Sequence, residues 1–290
     1  MNIVLRVIIP ILLAVAVGLM LFAPRLFNKA TGQLQDVLIP EKENLAEGML
    51  NWAALEKEKR YTSLADGLKN PEDVRILDLS RQNLTAIPEE ITRFKKLQIL
   101  ELQDNKITEI PNFIGNLEYL QYLHLRKNRI NKIDNGLGNL KYLKLLDLTA
   151  NQLKDVDDAF GDLYYLQELD LRFNQIKLIS EEISRLKNLK VLRLGYNNII
   201  KMPESINKMD SLNLLDLSHN LSMDLRPTLT QVSLIPNLQT FELSNQELSR
   251  LPQGIGDLRK LKVLNLKGNK LKESERFNIK GLLPNTEIEF

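Results

Sequence analysis

The stretch "LQELDLRFNQIKLI" (166–179) sets Leu166, Leu169 and Leu171 on one face of a short strand. It then follows an aromatic residue, Phe173, with a polar amide, Asn174, where core should continue. The arrangement recurs on both sides, in "LQILELQDNKI" (97–107), "LQYLHLRKNRI" (120–130), "LKLLDLTANQL" (143–153), "LKVLRLGYNNI" (189–199) and "LKVLNLKGNKL" (261–271). The copies from 97 to 189 start 23 residues apart, and weaker copies begin at Val74, Leu212 and Leu238, nine in all. Such a period marks a solenoid, because one unit buries too little apolar surface to fold alone and stacked neighbours build a continuous core. The step of 26 from Leu212 to Leu238 places an insertion at Ser222 to Pro236.

Stacked strands of this kind form a parallel sheet on the concave side. The second half of each repeat, with Ile91, Ile114, Leu137, Phe160, Ile183, Ile206 and Ile255, returns along the convex side as a helical or 3₁₀ turn. The asparagine column, Asn105, Asn128, Asn151, Asn174, Asn197, Asn220 and Asn269, falls where the chain leaves the strand. An amide there can satisfy backbone groups of adjoining turns. Gln82 and Gln246 occupy that slot in the first and eighth repeats, a departure that predicts looser turns. At the ends, Ser63 is expected to start a short helix stopping before Pro71, and Ile288 and Phe290 to form a capping strand. Residues 41–60 read as an amphipathic helix with Leu45, Met49 and Trp52 on one face.

The copies resemble the leucine-rich repeat family, whose pattern L-x-x-L-x-L-x-x-N-x-L they match over roughly residues 74 to 290. Continuations such as "LTAIPEEI" (84–91), "IIKMPESI" (199–206) and "LSRLPQGI" (248–255) look like the 23-residue type common in bacterial and Ras-associated members. The resemblance implies an α/β, right-handed leucine-rich repeat solenoid that binds another protein on its concave sheet and carries no catalysis of its own.

Ahead of the repeats, "MNIVLRVIIPILLAVAVGLMLFAPRLFNK" (1–29) is uncharged from Val7 to Ala23. As a helix, Ile3 to Ala23 spans about 30 Å, the thickness of a bilayer core, so a single transmembrane helix is expected before the solenoid. A cleavable signal peptide has the same layout, but no small-residue cleavage site follows the run. Pro10, Ala14 and Gly18 share one face of that helix, where small residues allow a partner helix to approach. The expected organisation is an anchor at 1–29, a linker, helix and cap at 30–73, and the solenoid from 74 to 290. The expected location is a bacterial inner membrane with the repeats in the periplasm, a cytoplasmic placement staying open.

The chain of 290 residues is 43% hydrophobic, has a formal net charge of +2 with acids and bases interleaved, and contains no cysteine. That pattern gives no nucleic-acid footprint, and it excludes disulfides, thiolate metal sites and thiol catalysis. No cofactor motif is present. Outward strand positions form one column, Asp78, Glu101, His124, Asp147, Asp170, Arg193, Asp216, Glu242 and Asn265. A second column contains Phe173, Tyr196 and His219 in succession. Aromatic and arginine side chains are what interfaces concentrate, so Phe173, Tyr196, His219, Arg172 and Arg193 are the expected partner contacts, with Tyr122, His124 and Arg126 as a second patch. Asp147 and Asp170 stand at about the separation of paired glycosidase carboxylates, which keeps a carbohydrate-active enzyme as a remote alternative; Arg193 is expected to neutralise one of them. Two binding roles remain distinct: an accessory subunit of an envelope complex, or a tethered receptor or adhesin for a transient or foreign ligand.

Overall fold

The computed structural model describes residues 47–290. Eleven parallel strands form one continuous sheet in chain order, from Arg60–Tyr61 through the nine repeat strands to Glu287–Glu289. The register is strict, pairing Leu123 with Leu146 and Leu146 with Leu169, so the inward leucines of every repeat lie side by side. Leu100, Leu102, Leu123, Leu125, Leu169 and Leu171 are all fully buried. Short 3₁₀ helices such as Asn112–Asn116, Asn135–Asn139 and Asp158–Asp162 line the convex side and drive Ile114, Leu137 and Phe160 inward to complete the core.

Two repeats depart from this scheme. The insertion forms an α-helix, Leu225–Ser233, capped by Asp224, whose carboxylate accepts from Arg226 N at 3.2 Å. The last repeat ends in a helix at Glu273–Leu282 and the expected capping strand, with Arg276 and Lys280 over the Phe290 ring at 5.4 and 5.7 Å. At the other end Ser63 caps the helix Leu64–Gly67 as the sequence suggests.

The expected helix over 41–60 does not hold over the residues described. Only Trp52–Leu55 is helical, because Gly48 sits at φ 87° and the chain turns out of the helix after Leu55 to form the edge strand Arg60–Tyr61. Leu45 lies outside the described residues, as does the whole of the apolar run with Pro10, Ala14 and Gly18. Among the described residues no helix is long and apolar enough to cross a membrane.

Candidate functional site

The site is built on the asparagine ladder. Asn174 Nδ2 donates to the carbonyls of Leu171 in its own repeat and Leu148 in the preceding one, both at 3.0 Å, while its Oδ1 accepts from Leu153 N at 3.0 Å. Asn128, Asn151, Asn197 and Asn220 repeat this pattern, so the column satisfies buried backbone that would otherwise cost about 1–3 kcal/mol per group. Gln82, with no repeat before it, instead donates to Thr62 O at 3.0 Å. In both glutamine repeats the residue after the glutamine, Asn83 or Glu247, adopts an additional left-handed conformation, which is the form the altered turn takes.

The residue just before each ladder position is also left-handed. Arg81, Asp104, Lys127, Ala150, Phe173, Tyr196, His219 and Asn245 have φ between 52° and 58°. The next repeat holds it there, since Phe173 N donates to Gly195 O at 3.1 Å and Tyr196 N to Ser218 O at 2.7 Å. For a bulky side chain this conformation costs about 1–2 kcal/mol. Glycine would avoid that cost and does so in the ninth repeat, where Gly268 has φ 71°.

At this strained position the sequence sets three flat side chains one repeat apart. Phe173 and Tyr196 stack with centroids 4.3 Å apart and planes at 14°, and Tyr196 and His219 stack at 4.7 Å and 22°. These spacings match the interstrand distance, so the sheet register itself aligns the rings. Phe173 is 45% exposed, and Tyr196 and His219 are half-buried. The stack lies at the C-terminal edge of the sheet, and Ala150 leaves the outer face of Phe173 without a ring neighbour in the fourth repeat.

Beneath the stack runs a charged floor. Arg172 clasps Asp170 through Nε at 3.0 Å to Oδ1 and Nη2 at 2.6 Å to Oδ2. Arg193 pairs with Glu168. It is thus Arg172, and not Arg193 as the sequence suggests, that makes the direct ion pair with Asp170, and both guanidinium groups are already engaged within the sheet. Burial acts to raise the Asp170 carboxyl, but the charge and hydrogen bonds of Arg172 outweigh it and hold the group below the ordinary aspartate value. Burial and then the charge of Asp170 push Asp147 upward. Glu242 is raised by burial and by Asp216. An Asp170 whose two oxygens both accept from the guanidinium of Arg172, with the Arg172 backbone amide donating as well, is poorly placed to act as a nucleophile. Among the described residues no group of three or more histidines, cysteines and carboxylates stands together for a metal.

The second patch is partly covered by the chain itself. Residues 48–55 cross the concave face of the first three repeats: Gln98 Nε2 donates to Gly48 O at 3.1 Å and Gln121 Nε2 to Leu50 O at 2.9 Å. Leu55 is fully buried against Ile76 and Ile99, and Trp52 packs edge-on against Tyr122 with centroids 4.9 Å apart. Arg60 then bridges Glu101 at 2.6 Å and Asp78 at 3.6 Å. His124 lies beside Asp147 in register, and Arg126 is held below its ordinary value by burial, against the pull of Asp147 and Asp104. Of the two patches, the Phe173 stack is the more open.

Sequence reasoning missed a second aromatic ladder. Tyr119, Tyr142 and Tyr165 occupy the turn three residues before successive strands, stacking at 6.5 and 6.0 Å, and Tyr164 meets Tyr165 edge-on at 5.0 Å. The signal was there to read, since "EYL", "KYL" and "YYL" recur at the 23-residue period.

Strict parallel register, a ladder of buried amides and 3₁₀ returns define a leucine-rich repeat solenoid. Residues 55–157 match the family model for a leucine-rich repeat region and residues 164–221 that for the leucine rich repeat. Among solved structures the chain is similar to an internalin from Listeria monocytogenes, at 27% identity over 71% of this chain and 84% of that one, with a TM-score of 0.58. It is also similar to the plant peptide hormone receptor RGFR1, solved in complex with RGF2, at 28% identity over 79% of this chain with a TM-score of 0.52; the match spans 42% of that receptor. No curated protein matches the chain.

Proposed function

We propose that this protein is a non-catalytic binding module, anchored by its N-terminal apolar run in a bacterial envelope membrane, that holds a protein or peptide partner on its concave face at Phe173, Tyr196 and His219. The observation that carries the reading is the three-ring stack, which places bulky residues at a position where glycine would relieve the backbone and leaves Phe173 open to solvent. A contiguous aromatic surface suits a protein interface, because the rings supply desolvated area while the nearby guanidinium groups of Arg172 and Arg193 are already paired with Asp170 and Glu168. The similar plant receptor, solved in complex with RGF2, supports a ligand held by such a solenoid.

The test is purification of the full chain from its native membrane in mild detergent beside a Phe173→Gly/Tyr196→Gly variant, which suits the left-handed backbone and should stay folded. A stoichiometric protein present with the parent chain and lost with the variant is the expected result. Equal recovery with both would remove the stack from the binding site. A ligand captured only by cross-linking, and lost in the variant, would favour the tethered receptor over the permanent subunit.

A further inference from the structure

The concave sheet has two edges, and the aromatic stack of the proposed binding site uses only one. At the opposite edge stands the Tyr119–Tyr142–Tyr165 ladder: the turn position just before these tyrosines holds Glu118, Lys141 and Tyr164, flanked by Lys95 and Lys187 in the adjoining repeats and by Glu72 and Asp210 in the repeats beyond. Lys95, Lys141 and Lys187 are exposed, Tyr164 is 56% exposed and Tyr165 49%. Phenol rings with a polar tip, interspersed with ammonium groups, match a layer that is apolar below and anionic above.

The path of the chain points the same way. Gly48 and Leu50 are held by Gln98 and Gln121, which lie only two residues past Lys96 and Tyr119, so the described chain begins beside the tyrosine edge. Upstream, 23 residues separate Glu47 from Ala23, the last residue of the uncharged run, a span of at most about 80 Å. A segment of that length lets the edge reach the bilayer, where weak contacts suffice. We infer that the Tyr119–Tyr142–Tyr165 edge, with Lys141 and Lys187, is a membrane-facing surface that rests on anionic lipid headgroups, leaving the Phe173 edge turned toward the aqueous side. This rests on the reading of the N-terminal run as an anchor.

The chain has no cysteine, so one introduced thiol can be labelled uniquely. A spin label at Asn116→Cys, beside the tyrosines, is compared with one at Asn198→Cys, at the opposite edge, in the full chain reconstituted into nanodiscs of phosphatidylcholine with or without phosphatidylglycerol. Collision with a water-soluble nickel chelate and with lipid-soluble oxygen is read at each site. The expected result is several-fold protection from nickel at 116 and not at 198, greater with phosphatidylglycerol, and lost in Tyr142→Ser/Tyr165→Ser and in Lys141→Glu/Lys187→Glu. Equal nickel access at the two sites overturns the proposal, as does protection that is indifferent to anionic lipid and requires an added protein. A chain that fails to enter nanodiscs overturns the anchor and the proposal together, whereas loss of partner capture in the Phe173→Gly/Tyr196→Gly variant is read separately and bears only on the concave site.

Discussion

Phe173 and Asn174 are adjacent, yet the structure assigns them opposite physical jobs. Asn174→Leu would leave the amide of Leu153 without its partner in the core and cut the carbonyls of Leu148 and Leu171 to one donor each, from Asn151 and Asn197. At about 1–3 kcal/mol for the orphaned amide and less for each weakened carbonyl, a loss on the order of 3 kcal/mol is expected in urea unfolding. Phe173→Gly should change stability by less than about 1 kcal/mol, because relief of the left-handed backbone offsets the lost stacking. If both substitutions destabilised alike, the separation of scaffold from surface at this pair would be wrong. The inward amide and outward ring were legible from spacing alone. The left-handed conformation was not, because sequence placed Phe173 beside a strand and nothing in an aromatic residue announces positive φ.

Between strands, the carboxylates of the charged floor act in opposite directions. Asp147 keeps its proton longer in the folded state than in the unfolded chain, so its contribution to stability declines as pH rises from about 3.9 through the folded value. Asp170 has the reverse sign: its contribution is present above about 3.9 and is lost as pH falls through the depressed folded value. Asp147→Asn should therefore raise the melting temperature by about a few degrees at pH 7, with the gain vanishing near pH 3, whereas Asp170→Asn should lower it at pH 7 by leaving Arg172 unpaired. The N-terminal strap is the other element with its own test. Leu55→Ala should loosen residues 47–58 to protease and shift the emission of Trp52, the sole tryptophan, to the red while the main transition of the repeats persists. An unchanged spectrum would show that Leu55 does not hold the strap. Sequence missed this element because its amphipathic period suggests a helix, while Gly48 and the pull of Gln98 and Gln121 divert the chain across the sheet.

At the scale of the whole solenoid, the nine-fold repeat was legible because every copy obeys one packing requirement, and so was the place of the insertion, but its helix was not, because Leu225–Ser233 belongs to no period. Convex packing depends on close backbone approach at Gly136, where an added Cβ would lie 2.0 Å from Asn112 O. Gly136→Ala should cost about 1–3 kcal/mol in urea and open the bend between the second and third repeats, visible as a larger radius in small-angle scattering. An unaltered radius and midpoint would mean the convex turns yield freely. The amide ladder also has a direction. Each Oδ1 closes the turn of the repeat before it, as Asn197 does for Ile176 and Asn220 for Ile199. A repeat is therefore finished only by its successor, and a chain emerging from the ribosome must always carry one incomplete turn, so its synthesis and folding advance in the same direction with a lag of one repeat.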